Sequence, residues 1–113
     1  MKTRLSHALL AAATTLLAAS GAHAVDAAAA KALASKSACL ACHAVDKKLV
    51  GPSYKDVATK HKGEANALDV VAARIKSGGA GNYGPVPMPA QPQLKDDELK
   101  LLAGWILAGA PDK

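Results

Sequence analysis

Two thiols and an imidazole stand together in Cys39-Leu40-Ala41-Cys42-His43. Thiols three residues apart on one helical turn share a face. Each can add to one of the two vinyl groups along one edge of a porphyrin. The imidazole that follows is then held beneath the iron as a proximal ligand. The run therefore reads as a site for covalent attachment of a c-type haem. Other chemistries of a Cys-x-x-Cys pair fit less well. A thioredoxin-like dithiol belongs near a βαβ pattern, and the chain has no strand pattern. A structural zinc normally takes four protein ligands, yet beyond residue 24 only His61 is left to join Cys39, Cys42 and His43. A disulfide between Cys39 and Cys42 would close too small a loop to stabilise much.

The second chemically informative stretch is Gly84-Pro85-Val86-Pro87-Met88-Pro89. Prolines fix φ and remove N–H donors, so the loop is stiff without being a helix or strand. A thioether is a weak ligand, and a rigid loop lowers the entropy lost on placing it. Met88 is accordingly expected to be the sixth ligand of the iron, rather than a filler of a core gap. His61 is the competing candidate. It stands between Lys60 and Lys62 and is expected to be a solvated histidine at the end of a helix.

These residues need elements to carry them. Lys2 and Arg4 precede an apolar run, Ala8 to Ala19, followed by the small residues of Ala22-His23-Ala24. That is the layout of a secretory signal peptide cleaved after Ala24. The apolar run is too short to span a bilayer comfortably, so residues 1–24 are expected to be removed and 25–113 to form one domain in the periplasm. Removal takes away two basic residues and no acidic one, so the formal charge of +5 falls to +3. A nucleic-acid protein would show a dense basic stripe or a recognition motif, and neither is present. Tyr54, Tyr83 and Trp105 are the only aromatic residues and Phe is absent. Aromatic side chains usually dominate core energetics, so a buried macrocycle would supply apolar volume that this short chain lacks.

The pattern is helical throughout. A first helix is expected over residues 26–38, with Asp26 favouring its N-terminus. A loop over 44–52 closes at Gly51-Pro52, and Pro52 suits the start of a short helix over 53–61. A third helix is expected over 65–77, with Leu68, Val71, Ala72 and Ile75 facing the core. Gly78-Gly79 ends it. Residues 80–93 hold too many Gly and Pro for regular structure. The last helix, 96–108, begins with Asp96, Asp97 and Glu98 and carries Leu99, Leu102, Trp105 and Ile106 as its apolar stripe. The fold class is all-α.

On these residues the chain resembles the small bacterial monohaem class I cytochromes c, most closely the c-551 type. The likeness rests on Cys39 to His43, Val50-Gly51-Pro52, Tyr54-Lys55-Asp56-Val57-Ala58, Arg74-Ile75-Lys76, the proline-flanked Met88 loop and Trp105. It implies about four helices wrapped around one covalently bound haem c, with His43 and Met88 as axial ligands. The Pro52 carbonyl would accept a hydrogen bond from the other nitrogen of His43. Arg74 would meet a haem propionate, while Tyr54 and Trp105 would pack the core. Tyr83 stands where the family often has a Trp that donates to a propionate. Gln91 stands where it often has an Asn that donates to the methionine sulfur.

The function implied is single-electron transfer by a monomer, not an enzyme. Its partners would be redox proteins such as a nitrite reductase, a terminal oxidase, a peroxidase or an upstream cytochrome complex. Lys47 and Lys48 would steer encounter. The alternative, a haem sensor or small peroxidase-like protein, needs an open sixth position, and Met88 is the residue that separates the two.

Overall fold

Four helices and one 3₁₀ turn carry residues 25–113, the part of the chain that the computed structural model describes. The expected leader, residues 1–24, lies outside the described residues. The first helix, α1, runs Ala27–Lys36, and the Asp26 side chain accepts from the Ala29 N–H at 3.0 Å. It buries Ala27, Ala30 and Ala34, a face of small side chains that lets α1 approach the last helix closely. The helix ends two residues before the expected Ala38. Ala38 adopts φ 59, a left-handed conformation that breaks the helix before the thiols. Cys39–Ala41 then form the 3₁₀ turn.

The second helix, α2 (Tyr54–Lys60), is shorter than expected at both ends. Ser53 rather than Pro52 sets its start, since the Ser53 hydroxyl accepts from the Asp56 N–H at 3.0 Å and is itself buried. The third helix, α3 (Ala67–Ser77), begins two residues later than the periodicity suggested. It buries Val71, Ala72 and Ile75 as expected. Leu68, expected in the core, is 40% exposed: it sits in the first turn of α3 at the edge of the α4 contact, with its Cδ1 beside Gly104. The last helix, α4 (Asp96–Leu107), buries Leu99, Leu102, Ala103, Trp105 and Ile106. The Glu98 carboxylate reaches back to the Lys95 N–H at 3.3 Å, satisfying a donor that the helix leaves free.

Helix α4 is the spine. It packs against α1, α2 and α3, most extensively against α3. Trp105 is 1% exposed, donates its indole N–H to the Pro111 carbonyl at 2.9 Å, and meets Tyr54 edge-on at a centroid separation of 5.3 Å. Tyr54 and Trp105 thus pack the core as expected. Among the described residues there is no strand, only isolated bridges between His43 and Lys48 and between Gly79 and Met88. Both bridges hold a residue singled out for its chemistry.

Candidate haem-binding site

The thiols reach the site from a 3₁₀ turn rather than the expected α-helical one. In that tighter helix residues i and i+3 eclipse, so Cys39 and Cys42 still stand on one side. The His43 and Cys42 N–H groups both donate to the Cys39 carbonyl, at 3.0 and 3.2 Å, which closes the motif on itself. Burial pushes the Cys39 thiol up from its ordinary range, with the Cys39 backbone N–H opposing this. Dithiol oxidoreductases depend on a lowered thiol pKa. Cys39 has the opposite environment.

His43 is held from two sides. Its Nδ1 lies 2.8 Å from the Pro52 carbonyl oxygen. A carbonyl can only accept, so Nδ1 carries the proton and Nε2 of the neutral ring keeps its lone pair. The ring stacks on Tyr54 at 5.3 Å with 17° between planes. Gly51, between the loop and Pro52, passes so near that a Cβ there would lie 2.5 Å from His43 Cε1.

Met88 is fixed by its backbone. Its N–H and C=O exchange hydrogen bonds with Gly79, both at 2.9 Å, while Pro85, Pro87 and Pro89 have no donor to satisfy. The Gln91 N–H donates to Lys76 at 3.0 Å, so both ends of the loop are tied to the C-terminus of α3. Gly78 turns there with φ 62, and a Cβ on it would lie 2.4 Å from the Met88 carbonyl oxygen.

Cys39, Cys42, His43, Pro52, Arg74, Tyr83 and Met88 all line one cavity, walled further by the apolar Val57, Val71, Ile75, Leu102 and Ile106. Its volume is about 180 Å³, roughly ten times what one buried water occupies. A bare metal ion would leave it nearly empty. Among the described residues no group of three or more His, Cys, Asp or Glu is arranged to hold a metal ion. An apolar cavity carrying two thiols, one imidazole lone pair and a thioether fits a macrocycle with a bound metal, which is what a haem is.

Two expected residues behave differently. Gln91 is not part of the cavity wall, and its amide oxygen accepts from Gln93 Nε2 at 2.6 Å. His61, expected in solvent, is 5% exposed. Glu64 Oε2 lies 2.5 Å from its Nδ1, with Tyr83 Oη and Arg74 Nη1 at 3.3 and 3.5 Å from its Nε2. Counting charged neighbours in sequence hid this. The signal was the i,i+3 spacing of His61 and Glu64 across the Gly63 turn. Burial pushes the Tyr83 phenol up, opposed by the adjacent Arg74. Lys60 sits 4.3 Å above the Tyr83 ring and donates to the Asn82 carbonyl.

Comparison with known proteins identifies the family. The family model described as Cytochrome c matches residues 27–110. Cytochrome c-551 of Azotobacter vinelandii is 52% identical over 69 residues, which is 61% of this chain and 83% of that one. Cytochrome c-551 of Pseudomonas aeruginosa is 53% identical over 70 residues, 62% of this chain and 66% of that one. Among solved structures, wild-type Nitrosomonas europaea cytochrome c552 superposes with a TM-score of 0.67 at 42% identity, covering 70% of this chain and 98% of that one. The class 1 cytochrome MtoD of Sideroxydans lithotrophicus gives 0.66 at 34% identity, covering 78% and 100%. With the matched family spanning the domain from α1 to the end of α4, the chain belongs to the cytochrome c family, as a small class I monohaem cytochrome of the c-551 type whose cofactor is one covalently attached haem c.

Proposed function

We propose that this cytochrome is a periplasmic carrier of single electrons whose haem iron is held by His43 and Met88. Its relatives are electron carriers. The observation that carries the finer reading is the pair of fixed donors on one cavity: His43 held to Pro52 at 2.8 Å and Met88 paired with Gly79 at 2.9 Å. The bound haem supplies a one-electron Fe(III)/Fe(II) couple. The residues of the chain do the rest. Cys39 and Cys42 would hold the haem through thioether links. Pro52 keeps the proton of His43 on Nδ1 and the lone pair of Nε2 available. The proline loop holds the Met88 thioether with little freedom to leave, closing the position that oxygen or peroxide chemistry needs. Val57, Val71, Ile75, Leu102 and Ile106 exclude water from the cavity, which limits the solvent rearrangement that accompanies a change of charge. His/Met ligation raises the potential relative to other axial sets.

Arg74 and Tyr83 face the cavity as donors for propionates. Gln91 would donate to the methionine sulfur through its NH2 group, since Gln93 occupies only its amide oxygen. Exposed Lys47 and Lys48 lie beside the His43–Lys48 bridge, where they favour encounter with acidic surfaces of redox partners such as a nitrite reductase, a terminal oxidase or a peroxidase. Among the described residues no helix is long and apolar enough to cross a membrane. Export with cleavage after Ala24 predicts a mature N-terminus at Val25, which mass spectrometry of the periplasmic protein reads directly.

The deciding experiment is the optical spectrum of protein matured in a host able to attach haem c. A sharp reduced α-band with a weak near-infrared sulfur-to-iron band in the oxidised form is expected. A c-type spectrum without that band, together with ready binding of carbon monoxide, would overturn Met88 ligation and point to a sensor or peroxidase-like protein.

A further inference from the structure

The Met88 loop is stiff on one side only. From Pro85 to Pro89 alternate residues are proline, which fixes φ and leaves that stretch few conformations. The stretch before it, Ala80-Gly81-Asn82-Tyr83-Gly84, has no proline. Gly81 and Gly84 take φ of 98 and 116, in a region that glycine enters, and leaves, at little cost. Among the described residues its one backbone–backbone hydrogen bond runs from the Gly81 N–H to the Gly84 carbonyl at 2.8 Å. That bond closes the tip on itself and does not tie it to the rest of the fold.

The end of α2 supplies the tie. Lys60, the last residue of that helix, donates from Nζ to the Asn82 carbonyl, and its ammonium lies 4.3 Å above the Tyr83 ring. Beside it, Nε2 of His61 stands 3.3 Å from the Tyr83 hydroxyl. Among the described residues these are the only hydrogen bonds from residues 80–87 to the rest of the chain. One ammonium thus grips two consecutive residues by different chemistry: a carbonyl accepts its proton, and a ring face attracts its charge. The anchor is firm. Helix α2 buries Tyr54 and Val57, packs on α4, and has its first turn closed by Ser53. Tyr83 in turn lines the same cavity as Met88 and His43, so displacing the tip opens the cavity wall.

We propose that Lys60 is a positioning residue that straps the tip of the Met88 loop to α2, and so sets how often the loop opens to admit a ligand to the iron. The inference rests on Met88 as an axial ligand, and it adds a second hold to the Gly79–Met88 pairing at the base of the loop. An entering ligand has to wait for the opening, because the thioether fills the position until the loop moves. Without the ammonium the tip keeps only the Tyr83–His61 contact, and the closed loop is lost more often. Lys60 is itself exposed, so the effect is one of degree. An exposed hydrogen bond together with a cation–π contact changes the opening equilibrium roughly three- to tenfold.

The test uses ferric holo-protein mixed in stopped flow with imidazole, at concentrations where the binding rate no longer rises. That plateau is the rate at which the loop opens. Lys60→Gln is expected to raise it about three- to tenfold. Lys60→Arg, which still donates and still lays its charge on a ring face, is expected to keep the parental rate. Lys62→Gln removes the same charge from an exposed neighbour and is also expected to keep it. A parental rate in Lys60→Gln, an equal rise in Lys62→Gln, or no rescue by arginine would each overturn the proposal. Proton NMR of the Tyr83 ring reads the strap without reference to the iron. Its signals are expected to move in Lys60→Gln, and unmoved signals would also overturn the proposal. The near-infrared band of the parental protein reads Met88 separately. If that band is missing while the Tyr83 signals move, the axial assignment falls and the strap stands.

Discussion

The carbonyl oxygen of Pro52 and the Nδ1 of His43 are 2.8 Å apart. That bond makes the loop after the attachment motif part of the site, because it fixes which nitrogen of the ring is available. Gly51 lets the loop come that close, since a Cβ there would lie 2.5 Å from His43 Cε1 and 2.9 Å from Nδ1. Gly51→Ala is expected to push the ring off its stacking on Tyr54 and destabilise the protein by about 1–3 kcal/mol, the usual cost of overpacking. Denaturant unfolding of the holo-protein measures the loss, and a weakened His43 contact appears in the same sample as a shifted Soret band.

Gly104 is the opposite case. It lies within α4, and a Cβ there meets Val25 and Leu68 at 3.7 and 3.8 Å, ordinary contact distances. Gly104→Ala is expected to stabilise by about 0.5–1 kcal/mol through helix propensity. A raised unfolding midpoint with an unchanged spectrum is the expected result.

Ala38 and Ala110 adopt φ 59 and 53, where a Cβ is strained. Ala38→Gly should relieve that strain, with the greater freedom of the unfolded glycine offsetting part of the gain. The net expectation is a stabilisation of up to about 1 kcal/mol in thermal unfolding.

Much of this was legible in sequence, for reasons specific to each stretch. Cys39, Cys42 and His43 are neighbours, so their chemistry needs no long-range contact to be recognised. Asp26, Asp96 and the pair Gly78-Gly79 are local signals, and the helix ends they mark fall within two residues of expectation. Trp105 and Leu102 follow from period. The errors come where tertiary placement overrides a local pattern. Ala38 ends α1 by a backbone twist that no alanine signals, and Leu68 has the right period on a turn that α4 covers only in part. His61 looked solvated beside Lys60 and Lys62, because a helix C-cap can bury one side chain while its neighbours stay in water.

Tyr83 gives a pH dependence of stability. Burial raises its phenol pKa in the folded protein, with Arg74 opposing in part. A group whose folded pKa is raised stabilises below its unfolded pKa, and that stabilisation is lost as pH rises through the folded value. The phenol's contribution to the free energy of unfolding is thus expected to be constant with pH around neutrality and to be lost as pH rises above about 10. In Tyr83→Phe that alkaline loss is smaller. Denaturant titrations of both proteins at a series of alkaline pH values make the comparison, and equal alkaline losses would exclude Tyr83 as the source.

Gly78 joins α3 to the Met88 loop, and its substitution separates loop rigidity from ligand identity. Its φ of 62 and the 2.4 Å approach of a Cβ to the Met88 carbonyl oxygen leave alanine no room. Gly78→Ala should therefore break the Gly79–Met88 pairing while keeping the thioether in the chain. Met88→Ala removes the thioether and keeps the turn. If Met88 ligates iron, both variants lose the near-infrared band, bind carbon monoxide and show a lowered potential. Only Gly78→Ala should recover the band when cooling or an osmolyte favours the closed loop. A Met88→Ala protein with the parental spectrum and potential would remove Met88 from the coordination sphere, whatever the behaviour of the glycine variant.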